Sequence, residues 1–307
     1  MTRWKTYLIL LVVMATWGLN VVATKQLVAE FSPITMTAFR ILTAGLFVLL
    51  FLRSIGQLPK LTKSHLKLIV TAGTFNVVAH HGLLALGLTQ TTATNAGLIL
   101  GLGPLLTSLL SIKLIGNHLS TFQWIGLLLG FSGVTLVVLS GSSGIGISIG
   151  DPIVFLSILS QAISFILIRK GASTLDARAL TGWMMVYGSL ILFVLGLIFE
   201  PHGLAQMWHG DGQIWTIFFA SAIIASGIGH MIYNRSIQSI GPVETSIFLN
   251  FNPLFSLIGA TIFLDEHITS FQLIGFGLIV LGVLLGARVL EMILSHRKKR
   301  PNKMIAH

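Results

Sequence analysis

The stretch His118–Gly126, which reads HLSTFQWIG, returns 149 positions later as His267–Gly275, which reads HITSFQLIG. The similarity extends over residues 80–134 and 229–283 at the same offset. Other residues that pair at this offset are Pro104 with Pro253, Leu105 with Leu254, Gly133 with Gly282 and His81 with His230. The chain is therefore predicted to contain two copies of one structural unit.

The composition around these copies is that of a membrane protein. The 307 residues are 54% hydrophobic and 9% charged, whereas a soluble domain is about one-quarter charged. This excludes an aqueous globular enzyme and a disordered chain. A membrane-spanning helix needs roughly 20 apolar residues, and the apolar runs predict an all-α membrane protein with ten such helices. They fall near residues 7–28, 34–52, 68–88, 94–114, 121–139, 152–168, 180–199, 213–233, 243–264 and 270–290.

Five helices in each copy, an odd number, make equivalent helices cross the membrane in opposite directions. We expect two inverted five-helix repeats, residues 1–140 and 150–290, and a basic cytoplasmic tail, residues 291–307. With ten spans, 17 of the 19 lysines and arginines fall on the side of the N-terminus, and only Lys25 and Arg40 do not. Loops rich in Lys and Arg stay in the cytoplasm, so both termini are predicted to be cytoplasmic.

The net charge of +10 does not indicate a nucleic-acid partner. The basic run Arg297–Arg300 follows the last apolar stretch without interleaved aromatic residues, as expected for contact with the lipid bilayer. The glycines at positions 126, 130, 133, 275, 282 and 286 predict close helix contact, within the chain or in a homodimer. No cysteine is present, which excludes disulfides and thiolate metal sites.

Several short patterns resemble one known family. Trp17-Gly18-Leu19-Asn20 is similar to the Trp-Gly-x-Asn/Ser pattern of the EamA-type transporters in the drug/metabolite transporter superfamily. The further matching residues are Pro33, Arg40, Ala85 to Pro104, Gly126, Gly133, Gly241-Pro242-Val243, Pro253, Glu266 and Gly275. Asn117 replaces a usual Glu, and Ala162-Ile163 replace a second Trp-Gly, so the cavity is expected to be asymmetric. The resemblance implies a secondary transporter of a bacterial inner (plasma) membrane, with a bias towards export of amino acids, nucleosides or toxic compounds.

The candidate substrate-binding residues are polar or aromatic groups at membrane depth, where polar groups are costly and mark pathways. They are Trp17, Asn20, Asn76, His80, Asn95, Ser226, His230, Asn250 and Asn252. For His80 and His230 a structural hydrogen bond and a substrate contact are equally compatible with the sequence, whereas His81 lies on a mostly apolar stripe and is expected to pack. Pro104 and Pro253 are candidate hinges, with packing kinks as the alternative.

Charged residues within or beside the spans are assigned to structural positions. Lys25 and Arg40 are expected near the outer surface, with Arg40 beside Glu30, and a role as ligands of an anionic substrate is the less favoured alternative. Glu244 is expected in the first turn of its helix, where its charge is favourable.

Transport of a small molecule is the function that these features favour. The alternatives are an intramembrane enzyme and a non-transporting membrane protein. An enzyme would need paired carboxylates, a Ser/His arrangement or a metal cluster, and no HExxH pattern occurs. The absence of a GxxxxGK[ST] loop leaves a gradient of substrate, protons or another ion as the energy source. No enzymatic activity, cofactor or metal is expected.

Overall fold

The computed structural model of the protein describes residues 3–115, 121–139, 148–171 and 173–286. The predicted tail 291–307, Asn117 and the side chain of Glu244 lie outside the described residues.

Helices make up both halves of the described chain. The first half contains α1 (Arg3–Glu30), α2 (Pro33–Ser54), α3 (Lys63–Gly73), a π-helix (Thr74–His81), α4 (Gly82–Thr89), α5 (Ala93–Leu100), α6 (Gly103–Ile115) and α7 (Thr121–Leu139). The second half contains α8 (Gly150–Gly171), α9 (Ala177–Phe199), α10 (Gly203–Gln206), a 3-10 turn (Met207–His209), α11 (Gly212–Ala220), a π-helix (Ser221–Gly229) and α12 (His230–Ile240). It continues with α13 (Pro242–Ser246), a 3-10 helix (Ile247–Phe251), α14 (Asn252–Phe263) and α15 (Ser270–Gly286).

Seven helices in the described residues are long and apolar enough to cross a membrane. They are Trp4–Glu30, Pro33–Ser54, Lys63–Thr89, Ala93–Ile112, Gly150–Gly171, Ala177–Phe199 and Gly212–Ile240. Three shorter apolar helices, Trp124–Gly133, Phe248–Phe263 and Ser270–Gly282, lie where the remaining spans are predicted. The all-helical fold is thus confirmed for the described residues, and the count of ten stays a prediction.

Contacts between helices follow the repeat in the sequence. The equivalent helices α2 and α9 pack on each other, and so do the equivalent helices α7 and α15. The contact of α1 with α14 has its counterpart in the contact of α8 with α5 and α6. Each repeat therefore buries its apolar side chains largely against the other, and residues of both repeats meet in the interior.

The glycines of α7 and α15 bring these two helices into backbone contact. A Cβ on Gly133 would lie 2.6 Å from the Gly275 carbonyl oxygen, and a Cβ on Gly282 would lie 2.5 Å from the Gly126 carbonyl oxygen. Side chains do not fit at these positions. The close contact predicted from the glycine spacing thus occurs within one chain.

The two π-helices occupy nearly equivalent positions, because Thr74–His81 shifted by 149 residues covers most of Ser221–Gly229. A π-helical hydrogen bond spans one residue more than an α-helical one. The side chains that follow are rotated by about 100° relative to an uninterrupted α-helix. Predictions from α-helical spacing therefore fail beyond these segments.

Candidate functional site

A small cavity lies between the two π-helical segments. Its volume is about 30 Å³, which suffices for a few water molecules at most. The lining side chains come from both repeats: Trp17, Asn20, Val21, His80, His81, Leu84, Leu100, Ile158, Gln161, His230, Leu249 and Asn252. Trp17 and Asn20 lie near the middle of α1, and Ile158 and Gln161 near the middle of α8. The cavity is therefore far from the ends of these membrane-spanning helices.

Trp17 forms one wall of this cavity and is anchored to the second repeat. Its Nε1 donates a hydrogen bond of 2.8 Å to the carbonyl oxygen of Ala225. Its ring centroid lies 4.5 Å from that of His230 and 4.9 Å from that of Tyr233. A Cβ on Gly229 would lie 2.6 Å from the indole nitrogen, so the indole approaches the π-helix only because position 229 is glycine.

His80 has partners at both ring nitrogens. The Ser157 hydroxyl donates to the His80 carbonyl oxygen at 3.0 Å, so its oxygen accepts the Nδ1 proton of His80 at 2.8 Å. The Gln161 amide nitrogen, which can only donate, lies 2.8 Å from His80 Nε2. With the hydrogen bonds in these directions, a neutral His80 carries its proton on Nδ1. His80 is thus hydrogen-bonded to the neighbouring helix α8 and also lines the cavity.

His81 and His230 form a pair that is related by the repeat. Their ring centroids lie 5.2 Å apart. His230 Nδ1 donates to the Ser226 carbonyl oxygen at 3.1 Å, which leaves Nε2 as a lone-pair acceptor. Within the described residues, His230 Nε2 and both nitrogens of His81 are buried without a hydrogen-bond partner. The expectation that His81 packs away from the cavity was wrong, because the π-helix changes the register of the stripe.

Three amides complete the polar lining of the cavity. The Asn20 Oδ1 accepts a hydrogen bond of 2.5 Å from the Ser221 hydroxyl. The Asn252 Oδ1 is buried and has no partner among the described residues. Gln161 was not predicted as a site residue, although a glutamine within the apolar run of α8 is the kind of signal that marks a pathway.

Arg40 lies in the interior and not near the outer surface. Only 1% of its surface is exposed. Its Nη1 donates to the hydroxyl oxygens of Ser221 at 3.1 Å and Ser226 at 2.9 Å. The expected pairing with Glu30 was wrong, because the middle of α2 packs on the π-helix Ser221–Gly229. Ser226 is therefore a partner of Arg40, behind the cavity wall.

Three more predicted site residues lie, like Ser226, outside the cavity lining. Asn76 donates through Nδ2 to the Ser164 hydroxyl at 2.8 Å. Asn95 accepts at Oδ1 a hydrogen bond of 2.7 Å from Gln272, at the end of the bundle where α5 begins. Asn250 lies on the 3-10 helix between α13 and α14, next to the lining residue Leu249.

Both candidate hinge prolines stand where a helix is interrupted. Pro104 follows the break between α5 and α6, and Pro253 lies in the first turn of α14, directly after a 3-10 helix. The two interruptions touch, because a Cβ on Gly101 would lie 2.7 Å from Cγ of Pro253. Neither proline lines the cavity itself, but Pro253 directly follows the lining residue Asn252.

Comparisons with known proteins agree with this architecture. The EamA-like transporter family matches the chain twice, over residues 4–139 and 148–287. The transporter YyaM of Bacillus subtilis is 30% identical over 276 residues, which cover 87% of this chain and 88% of that protein. The WAT1-related chloroplastic protein At3g02690 of Arabidopsis thaliana is 28% identical over 281 residues, covering 88% of this chain and 66% of that protein.

A solved crystal structure has the same fold. It superposes with a TM-score of 0.71 at 18% identity, covering 97% of this chain and 100% of the other. The two family matches together span most of the chain. The chain therefore belongs to the EamA-like transporter family of the drug/metabolite transporter superfamily, and it is a multi-pass membrane transporter.

Proposed function

We propose that this transporter exports small metabolites, such as amino acids, or amphipathic drugs by alternating access around the central cavity. In this proposal ten helices form two inverted five-helix repeats in the plasma membrane, with both termini in the cytoplasm. The substrate binds between the repeats and is released on the opposite side when the repeats rearrange.

The observation that carries the proposal is a set of buried polar atoms without partners around one cavity. His230 Nε2, both nitrogens of His81 and Asn252 Oδ1 have no hydrogen-bond partner in the described part of the chain. A buried polar group that lacks a partner costs about 1–3 kcal/mol. Four such atoms around one cavity are better explained by a polar substrate that satisfies them than by packing.

The small size of the cavity supports alternating access. Sites for small molecules usually measure about 300–1,000 Å³, so a cavity of about 30 Å³ is a contracted state of the site. Substrate entry requires the helices around it to separate. The touching interruptions at Gly101 and Pro253 are suited to this movement, because helix ends absorb changes of backbone angle.

A proton gradient or substrate exchange is the proposed energy source. His230 donates from Nδ1 to a backbone carbonyl, so its free Nε2 is the atom that takes up a proton. A histidine titrates near neutral pH when water reaches it. Opening the cavity to either side would thus expose a proton acceptor to that side.

Transport by reconstituted protein tests the proposal. Proteoliposomes are loaded with a defined mixture of amino acids, nucleosides and amphipathic amines, and the loss of each compound is measured by mass spectrometry against protein-free liposomes. We expect loss of at least one class of compound, reduced about ten-fold or more in Trp17→Ala and His230→Ala. The variants must be present in the membrane at the same abundance as the parent protein.

Exposed residues of the same type provide matched controls. Trp208 is 89% exposed and His209 is exposed as well, so Trp208→Ala and His209→Ala should transport like the parent. Absence of transport across the whole mixture contradicts the proposed function. Parental transport by both Trp17→Ala and His230→Ala contradicts the assignment of the site.

A further inference from the structure

Arg40 is a buried positive charge whose described hydrogen bonds go to neutral groups. Its Nη1 bonds are to the hydroxyls of Ser221 and Ser226, and its Nε has no partner among the described residues. The two ion pairs found in the described part of the chain both involve Asp176 instead. An arginine within a membrane-spanning helix is costly and marks a functional position by default.

Two short hydrogen-bonded paths connect this charge to the cavity. The Ser221 hydroxyl accepts from Arg40 and donates to Oδ1 of Asn20, which lines the cavity. Ser226 accepts from Arg40 through its hydroxyl and from the cavity residue His230 through its carbonyl. One residue therefore separates the guanidinium from the cavity wall along each path.

The position of the charge determines which substrate gains most from it. A buried charge without a counter-ion is strongly destabilising, and a partner of opposite sign restores the balance. An anionic group that binds at Asn20 in the cavity is linked to Arg40 through the Asn20 amide and the Ser221 hydroxyl. Carboxylate and phosphate both carry the negative charge that a guanidinium favours, so the charge of Arg40 favours either group at this position.

We propose that the transported compounds carry an anionic group, a carboxylate or a phosphate, and that Arg40 supplies its counter-charge. Asn20 and Ser221 are the hydrogen-bonding groups next to this anion. The inference rests on the proposed transport function and narrows its substrate class. Amphipathic amines without an anionic group are excluded by it.

Matched sets of compounds test the charge requirement. Proteoliposomes are loaded with amino acids, the corresponding amino alcohols and amino acid amides, simple carboxylic acids, sugar phosphates and the parent sugars. We expect loss of compounds that carry a carboxylate or a phosphate, and retention of the analogues in which that group is replaced. The carboxylate and phosphate sets separate the two kinds of anion.

Three substitutions then test the role of Arg40 itself. Arg40→Gln should lower transport of the anionic compounds by at least about ten-fold, while Arg40→Lys retains part of it. Asn20→Asp keeps the shape of the side chain and places a carboxylate one hydroxyl from Arg40, so it should abolish anion transport and raise the unfolding temperature. Arg53→Gln is the control, because Arg53 is an exposed arginine on the same helix.

The outcomes distinguish failure of the proposed transport function from failure of the inference about Arg40. No loss of any compound overturns the proposed transport function, and the inference with it. Transport of neutral or cationic compounds alone, or parental anion transport by Arg40→Gln or Asn20→Asp, overturns the inference and leaves transport intact. A thermal unfolding temperature of Arg40→Gln far below that of the parent shows a role in folding and also overturns it, because removal of an unpaired buried charge should not destabilise the empty protein.

Discussion

The two ends of the helical bundle are held together in different ways. At the end where α1 terminates, which we name the acidic end, two carboxylates of the second repeat cap helices of the first. Glu200 accepts from the backbone nitrogens of Ile34 and Thr35 at 2.9 and 2.7 Å, at the start of α2. Glu266 accepts from those of Ala93 and Thr94 at 2.9 Å, at the start of α5. We name these two contacts the cross-repeat caps.

Further polar contacts join the repeats at the acidic end. Gln206 accepts from the backbone and hydroxyl of Ser32, Gln272 donates to Asn95, and Thr91 donates to Asp151. A carboxylate at a helix N-terminus satisfies donors that the helix itself leaves open, and it also interacts with the helix dipole. The acidic end is therefore closed by directional bonds between the repeats.

At the opposite, basic end the charged groups bond within one repeat. Asp176 accepts from Arg178 and Arg235, and Arg169 donates to the carbonyl oxygen of Gln238. All of these residues belong to the second repeat. A contact between the repeats near this end is aromatic, with the rings of Tyr7 and Phe248 5.3 Å apart.

Under the proposed alternating access, the difference between the two ends predicts which contacts must break when each end opens. Directional bonds between repeats must break before the acidic end opens, whereas the charged cluster of the basic end can move with its own repeat. Since the bias of Lys and Arg predicts a cytoplasmic basic end, we expect this closed acidic end to face outwards. The cross-repeat caps are then the contacts that separate this state from an outward-open one.

The largest effect is expected from removing both cross-repeat caps. Each cap contributes about 1 kcal/mol, so Glu200→Gln with Glu266→Gln should increase exposure of the cavity from the acidic side about thirty-fold. The chain contains no cysteine, so a single Leu100→Cys at the cavity wall reports access. The measurement is its labelling rate with a membrane-impermeant maleimide, added to each side of the membrane in turn.

Glu30 provides the control for charge at the same end, because it is exposed at the end of α1. Glu30→Gln should leave the labelling rate unchanged. Equal labelling rates in the parent and in the Glu200/Glu266 double variant would show that the caps do not hold the acidic end closed.

A smaller and different effect is expected from Lys25, which lies at the acidic end but bonds within one repeat. Its Nζ donates to the carbonyl oxygens of Leu88 at 2.7 Å and Thr91 at 2.8 Å, at the C-terminal end of α4. Positive charge stabilises that end of a helix by up to about 2 kcal/mol when partly buried. Lys25→Met should lower the unfolding temperature by a few degrees without changing maleimide access. Increased maleimide labelling in Lys25→Met would mean that the loss of any hydrogen bond at the acidic end opens it, and not only the loss of the cross-repeat caps.

The smallest effect is expected at the basic end, in Asp176→Asn. Burial alone would raise the pKa of the Asp176 carboxyl, but the hydrogen bonds from Arg178 and the charges of Arg178 and Arg235 outweigh it and lower the pKa. Because the pKa is lowered in the folded protein, the ionised Asp176 carboxylate stabilises the fold at pH values above the ordinary carboxyl pKa of about 4. This stabilisation is lost as the pH falls through the lowered pKa. We expect the parent to unfold about 1–2 °C above Asp176→Asn at pH 7, with the difference shrinking below pH 4. Unfolding curves of both proteins measured from pH 7 to pH 3 provide the test, and a difference that grows on acidification would contradict it.

The helical fold could be predicted from the sequence. So could five residues that line the cavity, namely Trp17, Asn20, His80, His230 and Asn252. The helices follow from the apolar runs, and the cavity residues follow from the polar or aromatic groups within those runs. Both signals lie in the residue types of one local stretch of sequence. His81 and Arg40 were misplaced for physical reasons: a π-helix rotates the face that follows it, and the partners of Arg40 lie about 180 residues away in the other repeat. Neither long-range packing nor a change of helix type is visible in local spacing.

The seam between α7 and α15 limits how the repeats can separate. Glycine backbones touch there, at Gly133 with Gly275 and at Gly126 with Gly282, so the two helices meet backbone to backbone at these points. If the repeats rearrange as proposed, we expect them to rotate about this line rather than to slide along it. The seam would then be a pivot of the proposed transport cycle, where the two halves keep the same neighbours.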